Sequence, residues 1–230
     1  MERQYSSSEG TWLQGIMQEK VKGVILKTMD YKEKDKLMWV FTEEFGKISV
    51  LCKGVRSQKS KFQSLVRPLL FGEFLVYRGK SLFSLNEGNI INSFSRLATS
   101  LELLTYGSYY VELVDIVSID GEPQPMIYRN LVTALYLLES DAIDMEILTL
   151  AYEIKLISYT GLSIGKEMVP FEMSQGALKT AEFLQKTDFS KIHVLKIDEK
   201  TKKELQTITS FVMKDSYQRR PKSLDMLKYM

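Results

Sequence analysis

From Val21 the chain runs through five short β-prone stretches, "VKGVILK", "KLMWVFT", "KISVLCK", "LLFGEFLVY" and "SLFSL", separated by "DYKEKD", "EEFG", a basic stretch and "RGK". Branched and aromatic residues bounded by turn formers read as strands, and five of them predict a small barrel or sandwich. In the third stretch Ile48, Val50 and Cys52 share one face, and Lys47, Ser49, Leu51 and Lys53 share the other, the period-two signature of a half-buried strand. After Phe94 the period changes to that of a helix. Leu97, Leu101, Leu104, Ser108, Val111 and Val114 form one stripe with Leu103, Tyr106, Tyr110, Leu113 and Val117 beside it, too wide an apolar face for a surface helix. Past the break at "DGEPQP", Ile127, Leu131, Leu135 and Leu138 predict a second helix. Ile147, Leu150, Ile154 and Ile157 predict a third, closed by Gly161 as a C′ residue. Residues 175 to 187 and 198 to 214 read as further helices, and "KIHVLKI" around His193 as a strand. The fold class expected is α+β: an all-β N-terminal domain over 20–94 and an all-α domain over 95–230. A poorly ordered arm is expected over 1–19, with Met17 as an alternative start.

A chain of 230 residues, 44% of them apolar, has enough to bury at least one sizeable core. Its apolar runs are broken by charges well before the roughly 18 residues of a membrane span, and its first residues lack a signal-peptide pattern, so a cytoplasmic protein without membrane contact is expected. Cys52 and His193 are the only residues of their kinds, which rules out an internal disulfide and a cysteine–histidine zinc site. Net charge is +2 but unevenly spread: residues 1–94 carry 15 Lys/Arg against 10 Asp/Glu, residues 95–165 carry 3 against 10, and residues 166–230 carry 13 against 9. A basic head and tail around an acidic middle can attract polyanions even at near-zero total charge.

The head's charge is concentrated. Between Phe45 and Gly72 stand Lys47, Lys53, Arg56, Lys59, Lys61 and Arg67 with no acid among them, a run that suits either a solvated hairpin loop or a track for phosphates. A basic loop beside a half-polar strand face of a five-stranded barrel favours the second, since oligonucleotide-binding folds are built that way. Trp39, Phe62, Phe71, Phe74 and Tyr77 are aromatics within reach, most expected in the core and one or two on the surface. "RRPKSL" at 219–224 is a second basic cluster, and Leu224, Met226 and Leu227 after it predict a short docked helix. The glycines form neither a P-loop nor a dinucleotide fingerprint, and His193 has no partner for a triad, so no cofactor, metal or enzymatic activity is expected.

The stretch "GVILKTMDYKEKDKLMWVFTEEFGKISVLCKGVRSQKSKF", continued by "LVRPLLFGEFLVYRGKSLFSLNEGNIINSF", "ATSLELLTYGSYYVELVD" and the closing "RRPKSLDML", resembles the bacterial recombination mediator family RecO from about residue 20 to 162 and again at the end. The resemblance implies an oligonucleotide-binding barrel followed by a helical domain. It implies a protein that binds single- and double-stranded DNA and anneals complementary strands. With RecR, and in many bacteria RecF, it would help load RecA onto DNA coated by single-strand-binding protein. It implies Lys53, Arg56, Lys59 and Lys61 as DNA-facing residues, with Lys47 on the adjoining strand, and then Arg67, Arg78 and Lys222. A four-cysteine zinc module of many members is replaced here by "SIGKEMVPFEMSQGALKTAEF", so that segment is expected either to be held by apolar packing of residues such as Phe171, Leu178, Phe183 and Leu184 or to remain mobile. An adaptor whose barrel binds a partner protein is the alternative reading, and a metal-dependent nuclease the weaker third.

Overall fold

The computed structural model describes residues 12–13, 16–165, 169–219 and 221–225, and the chain divides into two compact units, Met1–Ser93 and Phe94–Met230. In the first unit β1 (Trp12–Leu13) folds back on the start of β2 (Ile16–Tyr31); β3 (Asp35–Thr42), β4 (Gly46–Cys52), β5 (Phe71–Arg78) and β6 (Phe83–Asn92) follow. The antiparallel pairs are β2 with β3, β3 with β4, β5 with β6 and β2 with β5. The parallel pairs Val50–Phe83 and Leu51–Ser84 join β4 to β6 and close the ring. A five-stranded barrel in the order β2-β3-β4-β6-β5 is the oligonucleotide-binding architecture, so the α+β class holds.

Val21, Ile25, Met38, Val40, Ile48, Val50, Cys52, Phe74 and Val76 fill the barrel interior. The alternation expected for β4 is observed along its whole length. Two strands are longer than their patterns suggest. β2 begins at Ile16, so the last residues of the expected arm are strand; Met1–Thr11 lie outside the described residues. β6 runs on through "NEGNIIN" to Asn92, because all its residues but Asn86 and Ile91, which fall at two irregularities of register, pair with β5 although none is buried.

In the second unit a 3₁₀ turn, Ser95–Thr99, leads into α1 (Leu101–Val117), followed by α2 (Pro125–Ser140), α3 (Met145–Tyr159), α4 (Gln175–Lys186), a 3₁₀ turn at Phe189–Val194, and α5 (Glu199–Tyr217). Side chains cap the starts: Ser100, Asp144, Ser174 and Asp198 each accept from backbone N–H groups of the first turn, meeting donors that have no intrahelical partner. Gly161, at φ 86°, ends α3 as expected: Leu162 N–H reaches the Ile157 carbonyl and Gly161 N–H reaches that of Ser158, the paired bonds of a Schellman motif. The stripe drawn through Leu97 is corrected at its start. Ser100 interrupts it in extended conformation, and Leu101 and Leu104 are exposed, while Tyr109, Tyr110, Leu113 and Val114 are buried. Tyr110 stacks on Tyr152 of α3 at 4.4 Å, and the Tyr152 hydroxyl donates to the Tyr110 carbonyl.

His193 belongs to a 3₁₀ turn and is exposed, not to a strand, because Asp188 caps Ser190 and starts a turn there. The apolar packing expected of the segment that replaces a zinc module holds in part: Leu184 is fully buried, Leu178 half-buried, and Phe171 meets Phe211 of α5 edge-on at 5.8 Å. Phe171 and Phe183 keep 38% and 39% of their surface exposed, and Ala177 and Ala181 complete the buried face of α4 with Leu184. Polar pins do the rest. The buried Lys155 amine donates to the carbonyls of Gln185 and Thr187 at 3.3 and 2.6 Å, and burial lowers its pKa while the Asp188 carboxylate opposes that shift. Glu204 of α5 accepts from both the backbone and the hydroxyl of Ser174. Lys166–Met168 of this segment lie outside the described residues.

Candidate nucleic-acid interface

The outward face of β2, β3 and β4 is ordered in cross-strand rows. Register aligns Val24, Phe41 and Lys47 in one row, of which Val24 and Phe41 are fully buried, then Lys27, Trp39 and Ser49, and then Met29, the buried Leu37 and Leu51. Lys53 follows Cys52 at the end of β4, so the face runs Lys47, Ser49, Leu51, Lys53 over about 20 Å at the usual rise of a strand. Cations stand at both ends of this run, with Ser49 and Leu51 between them.

Lys27 reaches this face through an irregularity. Strict alternation from Val21 and Ile25 would turn it into the barrel, but the register slips by one between Ile25 and Lys27 and reverses the parity. Its amine then lies 4.9 Å from the centre of the half-buried Trp39 ring. Sequence reasoning missed Lys27; a lysine at an inward position of an apolar strand was the available signal. Of the other aromatics, Phe74 and Phe71 are buried, Phe62 packs on the core, and Tyr77 is half-buried on β5.

The basic loop after β4 is also a plug. Val55, Leu65, Val66 and Leu70 enter the barrel core, and successive turns, Ser57 to Gly54, Ser60 to Ser57 and Leu65 to Phe62, fold the segment compactly. Gly54, at φ 64°, starts the reversal in a conformation that favours glycine, and its N–H donates to the Asp35 carboxylate at 2.8 Å. With the apolar residues committed inward, Lys53, Arg56, Lys59, Lys61 and Arg67 remain exposed.

Their surroundings differ. Arg56 is latched to the β2–β3 turn: its guanidinium lies 3.2 Å from Asp30 and 3.4 Å from the Lys32 carbonyl, and its N–H donates to the Lys34 carbonyl. Asp30 also pairs with Lys36 at 3.4 Å. The count of cations without acids between Phe45 and Gly72 is thus true along the chain but not in space, since Asp30 and Asp35 arrive from the neighbouring strands. Lys61 lies over the Phe62 ring and Arg78 over that of Phe45. Lys53, Lys59 and Arg67 have no ion-pair partner among the described residues, and Lys47 is half-buried on β4. The turn adds Lys32 and Lys34, both exposed, which a linear reading left out.

Lys222 lies in the other unit, exposed, with its backbone N–H on the Glu112 carboxylate of α1. The short docked helix expected there is a turn at Ser223–Asp225; Arg220 and Met226–Met230 lie outside the described residues. Cys52 is sealed in the barrel, where burial, aided by the Asp35 carboxylate, pushes its thiol up to about 12. Among the described residues no group of three or more His, Cys, Asp or Glu is arranged to hold a metal. No helix among them is long and apolar enough to cross a membrane.

Two family models match, Recombination protein O N terminal over residues 17–94 and Recombination protein O C terminal over residues 98–164. The DNA repair protein RecO of Clostridium perfringens strain 13 is 39% identical over 237 residues, covering 90% of this chain and 96% of the relative. The chain belongs to the RecO family. RecO of Clostridium novyi is 34% identical across 92% of the chain and 94% of its own length. RecO of Bacillus cytotoxicus is 34% identical across 64% and 58%. A role in DNA repair and recombination follows from this membership.

Proposed function

We propose that this RecO protein is a non-catalytic recombination mediator that captures single- and double-stranded DNA on its barrel and anneals complementary strands. With RecR it would help load RecA onto DNA coated by single-strand-binding protein, with RecF as a further functional link, at the bacterial nucleoid in the cytoplasm. The observation that carries the reading is the outward β2–β4 face, where Lys27 covers Trp39 between flanking lysines and the exposed loop cations. The half-buried indole offers a stacking plane to any base once the Lys27 amine over it turns to a phosphate, and surrounding ammonium groups replace the counterions a phosphate backbone carries. Annealing needs no bond chemistry on this scheme. Neutralising both backbones lowers the repulsion that keeps two strands apart.

The test is strand annealing on DNA coated with single-strand-binding protein, with and without RecR. Annealing of coated strands that depends on the protein supports the mediator; acceleration on bare strands alone reduces it to a plain DNA binder. Trp39→Ala is expected to weaken single-strand binding by about 1–3 kcal/mol while leaving the salt dependence unchanged, because a stacking contact exchanges no counterions. Unchanged affinity in a fluorescence titration removes Trp39 from the interface.

Met29, 51% exposed, and the half-exposed Leu51 on the same face favour a second reading, a partner protein seated on the barrel with DNA contact secondary. Met29→Lys separates the two, since an added cation strengthens DNA binding but breaks an apolar protein contact.

A further inference from the structure

The chain leaves α5 through Gln218, at φ 50°, and comes back onto α1. One side chain receives it. Lys222 N–H lies 3.0 Å from both Glu112 carboxylate oxygens, Ser223 N–H 2.9 Å from Oε2, and the Ser223 hydroxyl 2.5 Å from the same oxygen. Pro221 and Leu224 on either side line a cleft of about 330 Å³ with Tyr109, Met213 and Lys214. Glu112 therefore fixes the tail by charge-assisted hydrogen bonds to its backbone, and the Lys222 side chain is left exposed.

Lys214 borders a second concavity, of about 500 Å³, together with Phe211, Asp215, Gln218 and Arg219. Lys214, Arg219 and Lys222 are all exposed, and none has an ion-pair partner among the described residues. Three unpaired cations thus stand at the end of α5 and on the strap after it, beside a half-buried aromatic ring and opposed by Asp215 and by Asp225 of the adjoining cleft. Lys214 and Arg219 line this concavity, and Lys222 stands on the strap outside its lining. Separate cations spaced in this way suit the repeated phosphates of a nucleic acid strand, each neutralised singly.

We propose that Lys214, Arg219 and Lys222 form a second phosphate-binding surface, on the helical unit, and that Glu112 is the positioning residue that sets it. The proposal rests on the DNA-binding reading of this RecO protein. Its distinctive consequence is a reversal of sign. Removing an acid from a surface that binds polyanions ordinarily tightens binding, because a repulsion is lost. Here the carboxylate is consumed by the strap, and without it the DNA must order the tail before meeting Lys222, so binding weakens.

Single-stranded oligonucleotide binding across a salt series, with the full chain, reads this out. Replacing Lys214, Arg219 and Lys222 together by glutamine is expected to reduce the slope of log affinity against log salt by about two. Glu112→Ala is expected to weaken binding about three- to tenfold in the native background and to add nothing when the three cations are already gone. Tighter or unchanged binding by Glu112→Ala overturns the positioning role, and an unchanged slope in the triple variant overturns the surface. Ser223→Ala removes one bond and leaves the backbone pair, so it should give a smaller loss of the same sign. It replaces Glu112→Ala if that variant loses its helical circular dichroism. Lys53, Lys59, Lys61 and Arg67 changed to glutamine report on the barrel in the same series. If they alone flatten the slope, the second surface falls while DNA binding stands; if the native chain binds no oligonucleotide, both readings fall.

Discussion

Exchanging Lys53, Lys59, Lys61 and Arg67 together for glutamine should lower the salt slope of single-stranded DNA binding by up to about three, and affinity near physiological salt by on the order of a hundredfold. Each lost phosphate contact on a single strand removes about 0.7 of slope, so four set the ceiling. The substitutions are confined to exposed side chains of a loop whose apolar residues fill the barrel, so stability should stay within about 1 kcal/mol of native. Arg56 is left out deliberately. Its guanidinium is shared with Asp30 and the Lys32 carbonyl, so Arg56→Gln alone should move the slope by less than one contact and loosen the loop's hold on the β2–β3 turn. A quadruple variant with native slope excludes the loop from the DNA interface.

The largest effect on stability is expected at Glu153. This α3 residue is buried and accepts hydrogen bonds from the Tyr109 hydroxyl of α1 and, at 2.6 Å, the Thr209 hydroxyl of α5. Glu153→Ala leaves both hydroxyls buried without an acceptor and opens a void, a loss of about 3–5 kcal/mol. Glu153→Gln keeps an acceptor and should cost much less. The pair also separates packing from charge. Burial raises the Glu153 pKa, against the hydrogen bonds from Thr209 and Tyr109 that favour the carboxylate. The folded state therefore holds this proton at a pH where the unfolded chain has released it. Its contribution to stability falls as pH rises from the ordinary value of 4.5 through the folded pKa, and is constant above that. Urea unfolding followed by helical circular dichroism at several pH values checks this: the native-minus-Gln difference should shrink with rising pH, and a flat or rising difference contradicts it.

Period was the informative quantity in the sequence. The switch after Phe94 separates barrel from helices, and the alternation of β4 is realised residue by residue, because a strand packed on one face has no other register that keeps Ile48, Val50 and Cys52 inside. What the pattern hid were events that break a period. The slip at Leu26 turned Lys27 outward, Ser100 reset the phase ahead of α1, and β6 owes its length to pairing with β5, not to apolar content. The candidate site was legible as a cluster of cations, but not as an arrangement. Asp30 meets Arg56 across 26 positions of sequence, and Glu112 meets Lys222 across 110, distances over which neither local charge counting nor helical spacing carries information. The segment in place of the zinc module shows the same limit. Its apolar residues were visible, but the carbonyls that Lys155 ties are backbone groups any sequence would supply.

Cys52, the only cysteine, makes the barrel its own reporter. A thiol sealed inside and shifted to about 12 is almost wholly protonated at neutral pH, so a thiol reagent reaches it only when the barrel opens. Its alkylation rate therefore times opening of the first unit. For the same reason a cysteine introduced on an exposed loop can carry a fluorophore without removing the native one, and a single chain can show DNA arriving and the barrel yielding.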